Sequence, residues 1–230
     1  MPRHLADLVL PSAVLWDMDG TLLDTEPHWM RAETELVEAH GGVWTYEDGL
    51  SLVGNPMLVS AVRLQEHGVV LAPDEIVDFL NTRVGAAVAA EIPWQPGAEQ
   101  VLADLRAAGV PMALVTSSYR SLAEPFAAAA GVFDVVVSGD EVARPKPDPE
   151  PYLTAARLLG VDIGDCVAVE DSGAGIASAV ASGARAVAIE VMQPIAARPG
   201  LSRVASLADL TLPALARIVR GEVLDLRRAS

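Results

Sequence analysis

The sequence predicts an α/β fold, a doubly wound parallel sheet with an α-helical insertion near its start. Three observations predict it. Short apolar runs end abruptly on polar residues, as strands covered on both faces do. Helix-period patterns lie between these runs, and such alternation implies parallel strands joined by crossovers. From 26 to 91 the alternation stops, and three helical patterns follow one another without a convincing strand.

In chain order, the first apolar run occupies 13–16 and stops at Asp17. Helical patterns then cover 27–39, 56–67 and 73–90. The second and third open on Asn55-Pro56 and Ala72-Pro73, with proline in the first turn, where its missing N–H costs nothing. The insertion returns through Pro93-Trp94-Gln95-Pro96-Gly97, a proline-rich segment that reads as a hinge. Beyond it, helix 96–108, strand 112–115, helix 121–130, strand 135–137, helix 149–159, strand 166–169 and helix 175–182 resume the alternation. A last strand at 203–205, a helix at 207–219 and a frayed tail complete the reading. The chain thus divides into a core of 1–25 and 92–230 and a helical cap of 26–91.

Composition sets limits on function. With 230 residues, 51% hydrophobic and 20% charged, the chain can build one full-sized core with an insertion. Its formal net charge of −15 argues against binding nucleic acid or an anionic membrane surface, which need basic patches. A phosphorylated small molecule remains compatible, because a metal and one or two cations neutralise phosphate locally. The lone Cys166 lies in an apolar run and reads as a buried thiol, which fits a reducing cytoplasm. The stretch MPRHLADLVLPSAVLW carries a proline and an aspartate and no clear cleavage site. No run approaches the roughly 20 apolar residues that cross a bilayer. The expectation is a cytoplasmic protein, a monomer or weak homodimer.

Four segments carry the chemistry. Asp17-Met18-Asp19-Gly20-Thr21 follows the first strand directly, so both acids stand at its C-terminal end, where open α/β sheets bind ligands. Two carboxylates there can divide the labour. One serves as nucleophile and metal ligand, the other as acid–base group with a backbone carbonyl for the metal. Thr116-Ser117-Ser118 ends the second strand and offers hydroxyls and N–H groups to phosphate oxygens, although helix capping would explain it alone. Lys146 sits between Pro145 and Pro147, a stiff loop suited to fixing one ammonium, although a solvated lysine is the ordinary alternative. Glu170-Asp171 ends the strand of 166–169 and supplies hard oxygen ligands suited to Mg²⁺. Apolar strands leading into Asp17, Thr116 and Asp171 make three coincidences improbable.

This ordered set resembles the haloacid dehalogenase superfamily of phosphohydrolases over nearly the whole chain, which implies a Rossmann-like core. The resemblance implies Asp17 as nucleophile, Asp19 as general acid/base, and Thr116, with Ser117 beside it, and Lys146 as phosphate holders. It implies Mg²⁺ ligated by Asp17, Asp19 and Asp171, with Glu170 beside the ion or reaching it through water. The helical insertion looks like the cap of the branch containing β-phosphoglucomutase and the sugar-phosphate phosphatases. Trp29 stands where the mutase has histidine, His28 is one place off, and the loop Gly54-Asn55-Pro56 lacks the mutase's cap arginine. Hydrolysis of a small sugar phosphate is the expectation, with mutase activity as the alternative. Trp29, His28 and Asn55 are the candidates for touching substrate. A phosphoacceptor receiver module uses the same ingredients on a shorter chain, with its acceptor aspartate on a central strand. The position of Asp17 on the first strand and the insertion weigh against it.

Overall fold

The computed structural model describes residues 8–191 and 194–227. Its sheet is built from β1 (Ala13–Trp16), β2 (Met112–Val115), β3 (Val135–Val137), β4 (Cys166–Glu170), β5 (Arg185–Ile189) and β6 (Ser202–Val204). Their order is β3-β2-β1-β4-β5-β6, and every pairing is parallel. The chain winds outward from β1 in one direction through β2 and β3, then in the other through β4, β5 and β6. The reversal of strand order at β1 opens a crevice at the strands' C-terminal ends. Because β1, β2 and β4 are covered on both faces, their residues are buried throughout, Cys166 among them.

The helical segment comprises α1 (Glu26–Ala39), α2 (Tyr46–Leu50), α3 (Met57–Glu66) and α4 (Pro73–Ala90). Here α4 packs against α1 and α3, and also against α6 (Arg120–Ala130) of the core. The buried positions Ile76, Val77, Leu80, Val84 and Val88 of α4 recur at helical spacing and make that seam. The segment's two connections lie side by side, with Asp24 N–H donating to Pro93 O at 2.7 Å and Gln95 N–H to Leu22 O at 2.8 Å. The remaining core helices are α5 (Ala98–Ala107), α7 (Glu150–Leu159), α8 (Gly173–Ser182) and α9 (Leu212–Val219).

Several expectations need correction. Strand β5 and helix α2 were not read from the sequence. The helix expected over 207–219 is a 3-10 turn, Leu207–Asp209, followed by α9, because Pro213 belongs in a first turn and Thr211 caps a new helix. The tail is not frayed as far as residue 227. Arg203 N–H donates to Leu224 O and Leu226 N–H to Arg203 O, both at 2.8 Å, and Arg227 pairs with Glu190 at 2.9 Å. The tail residues 228–230 lie outside the described residues. Finally, β1 is first in the chain yet central in the sheet, so chain order does not separate this protein from a receiver module. No helix among the described residues is long and apolar enough to cross a membrane.

Candidate active site

The crevice at the sheet's reversal gathers the acids that the sequence placed at strand ends. Asp17 continues β1 by one residue, its N–H donating to Val169 O at 3.1 Å. Lys146, from the loop before α7, is only 3% exposed, which rules out the surface alternative. Its Nζ donates to Asp17 Oδ1 at 2.7 Å and to Val115 O at 2.8 Å, and lies 2.6 Å from Glu170 Oε1. Burial alone would lower its pKa, but the carboxylates of Asp17 and Glu170 outweigh that and hold it above the ordinary lysine range. Tyr152 of α7 donates to Glu170 Oε1 at 2.5 Å. Its phenol stays protonated, pushed up by burial and then by Glu170 and Asp17.

One ammonium does not balance three acids. Asp17, Glu170 and Asp171 each offer a carboxylate oxygen within 4.8 Å of the others. Burial first, then the Glu170 charge, pushes Asp17 up to about 7 against the opposing pull of Lys146. Burial and the charges of Asp17 and Glu170 push Asp171 well above the carboxylate range. A divalent cation with hard oxygen preferences fits this excess of buried negative charge. The local backbone supports the cluster. Gly20 has φ +80°, and a Cβ there would lie 2.1 Å from Asp171 Oδ2, so only glycine lets the acid approach the turn. Thr21 donates its hydroxyl to Asp171 Oδ1 at 3.1 Å.

Asp19 lies outside that cluster and faces the helical segment. Its Oδ1 accepts Thr25 Oγ1 at 2.7 Å and Trp29 Nε1 at 2.9 Å. Its Oδ2 accepts Ser118 Oγ at 2.7 Å and Thr116 Oγ1 at 3.4 Å. The carboxylate is thus oriented from the end of β2 and from the start of α1. Thr116 also accepts the Ser118 N–H at 3.0 Å, so the strand-end hydroxyls do shape the following turn. Ser117 lines the cavity between the strand ends and the helical segment.

From the helical segment the cavity is lined by Trp29, Asn55, Glu26, Glu33 and Ser60. Trp29 is packed, being 8% exposed, while its indole N–H reaches Asp19. Asn55 donates to Ser51 O at 3.0 Å, which fixes the loop before α3. In the same loop Gly54 has φ +75°, and a Cβ there would lie 2.5 Å from Ser172 Cβ, so this loop of the helical segment touches the turn beside Asp171. His28 is half-buried and takes no part in the cavity wall. Sequence reasoning missed Thr25, Glu26, Glu33, Ser60 and Tyr152 as site residues. The segment Asp24-Thr25-Glu26 beside the first motif was the available signal for two of them.

The family model for haloacid dehalogenase-like hydrolases matches residues 11–183, the span that holds every residue of this crevice. The chain belongs to that family. Hexitol phosphatase A of Escherichia coli is 34% identical over 207 residues, 89% of this chain and 91% of the relative. The structure of CbbY from Rhodobacter sphaeroides in complex with xylulose-1,5-bisphosphate superposes with a TM-score of 0.80 at 29% identity, covering 90% of this chain and 99% of that one. A β-phosphoglucomutase from Clostridium difficile has a TM-score of 0.79 at 20% identity, covering 92% and 98%, and shares the fold. Membership makes this family member an enzyme of the hydrolase class, and its relatives place it among the phosphoric monoester hydrolases.

Proposed function

We propose that the protein is a Mg²⁺-dependent phosphatase of a small sugar phosphate that works through an aspartyl-phosphate on Asp17. The observation that carries the reading is the buried grouping of Asp17, Lys146, Glu170 and Asp171 at converging strand ends, with Asp19 oriented beside it. The Asp17 carboxylate attacks phosphorus, an Asp17 O–P bond forms, and the ester O–P bond breaks. The leaving oxygen takes its proton from Asp19. Asp19 then removes a proton from the water that attacks the aspartyl-phosphate, which frees Asp17 and releases phosphate. Lys146 and the Thr116 and Ser117 groups position the phosphoryl oxygens. Asp17, Glu170 and Asp171 would hold Mg²⁺, and Asp19 would contribute through its main-chain carbonyl because its carboxylate is engaged elsewhere. The ion supplies positive charge against the phosphoryl oxygens. Residues 26–91 serve as a cap that closes the cavity and selects the substrate.

The hexitol phosphatase relative supports a sugar or sugar-alcohol phosphate as substrate. A mutase needs a holder for a second phosphate, and Lys146 is the one cation in the cavity wall among the described residues. The test is phosphate release from hexose and hexitol phosphates with Mg²⁺, with excess chelator, and with Asp17→Asn. Release that needs Mg²⁺ and Asp17 is expected. Full turnover in chelator or in Asp17→Asn would reject the mechanism.

A further inference from the structure

We infer that Glu26, Glu33 and Ser60 form a subsite on the cap side for the hydroxyl groups of an uncharged, polyhydroxylated leaving group, so that the substrate carries a single phosphate and no second anion. The inference rests on the phosphatase reading above and names its substrate class. Glu26 at the start of α1 is 7% exposed, Ser60 of α3 is 5% exposed, and both line the cavity. Neither side chain has a hydrogen-bond or ion-pair partner among the described residues, unlike Asp19 in the same cavity, which accepts from Thr25 and Ser118. Their oxygens are open to the cavity rather than sealed off, so a ligand's hydroxyl groups can take the place of the water that meets them there. Glu33, 5% exposed, accepts Trp44 Nε1 at 3.2 Å through Oε2, which leaves Oε1 for the cavity.

The chemistry of the three groups chooses the ligand. Carboxyls and a hydroxyl match the alternating donors and acceptors of a polyol. Burial, with Asp19 and Glu33 next for Glu26, brings both glutamates to about 8, so at neutral pH each carboxyl can donate as well as accept. In neither protonation state does this wall present a cation, and Lys146 is already committed to Asp17 and Glu170. A carboxylate or second phosphate on the leaving group would therefore be desolvated without a counter-charge.

The test compares kcat/KM for sorbitol 6-phosphate, n-hexyl phosphate, fructose 6-phosphate, fructose 1,6-bisphosphate and 4-nitrophenyl phosphate, with Mg²⁺. Sorbitol 6-phosphate should exceed n-hexyl phosphate by about a hundredfold, and the bisphosphate should fall about tenfold below fructose 6-phosphate, as two or three lost hydrogen bonds and one unpaired charge imply. Glu26→Ala and Ser60→Ala should each shrink the sorbitol-to-hexyl ratio about tenfold, a change that a general loss of folded enzyme does not produce. Glu26→Gln should recover part of it. Turnover of 4-nitrophenyl phosphate with no preference for hydroxylated esters, or a preference for the bisphosphate, would overturn the subsite and leave the phosphatase standing. If no ester is hydrolysed, calorimetric binding decides. Tighter binding of sorbitol 6-phosphate than of n-hexyl phosphate, lost in Glu26→Ala, supports the subsite although the phosphatase reading fails, and equal binding overturns it.

Discussion

Replacing Glu33 by glutamine should flatten the dependence of stability on pH. Burial raises the folded-state pKa of Glu33 from 4.5 to about 8, against a weaker opposing effect of the Trp44 N–H. A folded-state value above the unfolded one means that stability is fully present below about pH 4.5 and is lost as pH rises through about 8. At 1.36 kcal/mol per pH step, ionisation of this one group removes about 4 kcal/mol between about pH 5 and about pH 8.5. Glutamine keeps an acceptor for Trp44 and does not titrate. Urea unfolding of the metal-free protein at the two pH values measures the difference. The parent should lose about 4 kcal/mol more than Glu33→Gln over that interval. Parallel pH profiles would refute the claim that Glu33 is a proton-bearing group in the fold. Glu26 and Asp17 act in the same direction, so the variant should still show some decline.

Lys146→Ala should lower kcat strongly, and Lys146→Arg should rescue poorly because a planar fork cannot occupy the space among Asp17, Glu170 and Val115 O. Parent-like rates in both would remove Lys146 from the mechanism. Trp29→Phe keeps the packed ring but loses the donor to Asp19, and kcat should fall about tenfold, as the loss of one orienting hydrogen bond implies. An unchanged kcat would show that Thr25, Ser118 and Thr116 orient Asp19 without the indole. With β-glucose 1-phosphate and a trace of the 1,6-bisphosphate, free phosphate should exceed glucose 6-phosphate. Predominant glucose 6-phosphate would favour a mutase.

The legible parts of this chain were those where two signals coincide in a few residues. An apolar run followed at once by Asp17, Thr116 or Glu170 gave both a strand and its functional end. Strand β5 was missed because Arg185–Ile189 continues an alanine-rich stretch from α8 across Gly183, so neither composition nor period marks a change. Helix α2 is five residues long, with Gly49 inside it, and its signal was the reciprocal Thr45 and Asp48 capping pair. Expecting a frayed tail failed because Leu224 and Asp225 are secured by Arg203, a pairing between segments that local sequence does not encode. The same reason hid Glu33 and Ser60. Each reads as an ordinary position on a surface helix until the helices of 26–91 pack beside the strand ends.

The central place of β1 has a consequence for biogenesis. Val14 pairs with Met112 on one side and Val167 on the other, so the strand made first on the ribosome waits longest for both neighbours. Until then Ala13–Trp16 is an unpaired, fully apolar segment, the sort that chaperones recognise and that aggregates when crowded. The four helices of 26–91 emerge in the interval and rely on local contacts that form quickly. Asp17 and Lys146 stand 129 positions apart and meet only in the finished sheet. The crevice therefore forms late and all at once, and a nascent chain carries Asp17 long before Lys146 and Glu170 stand beside it.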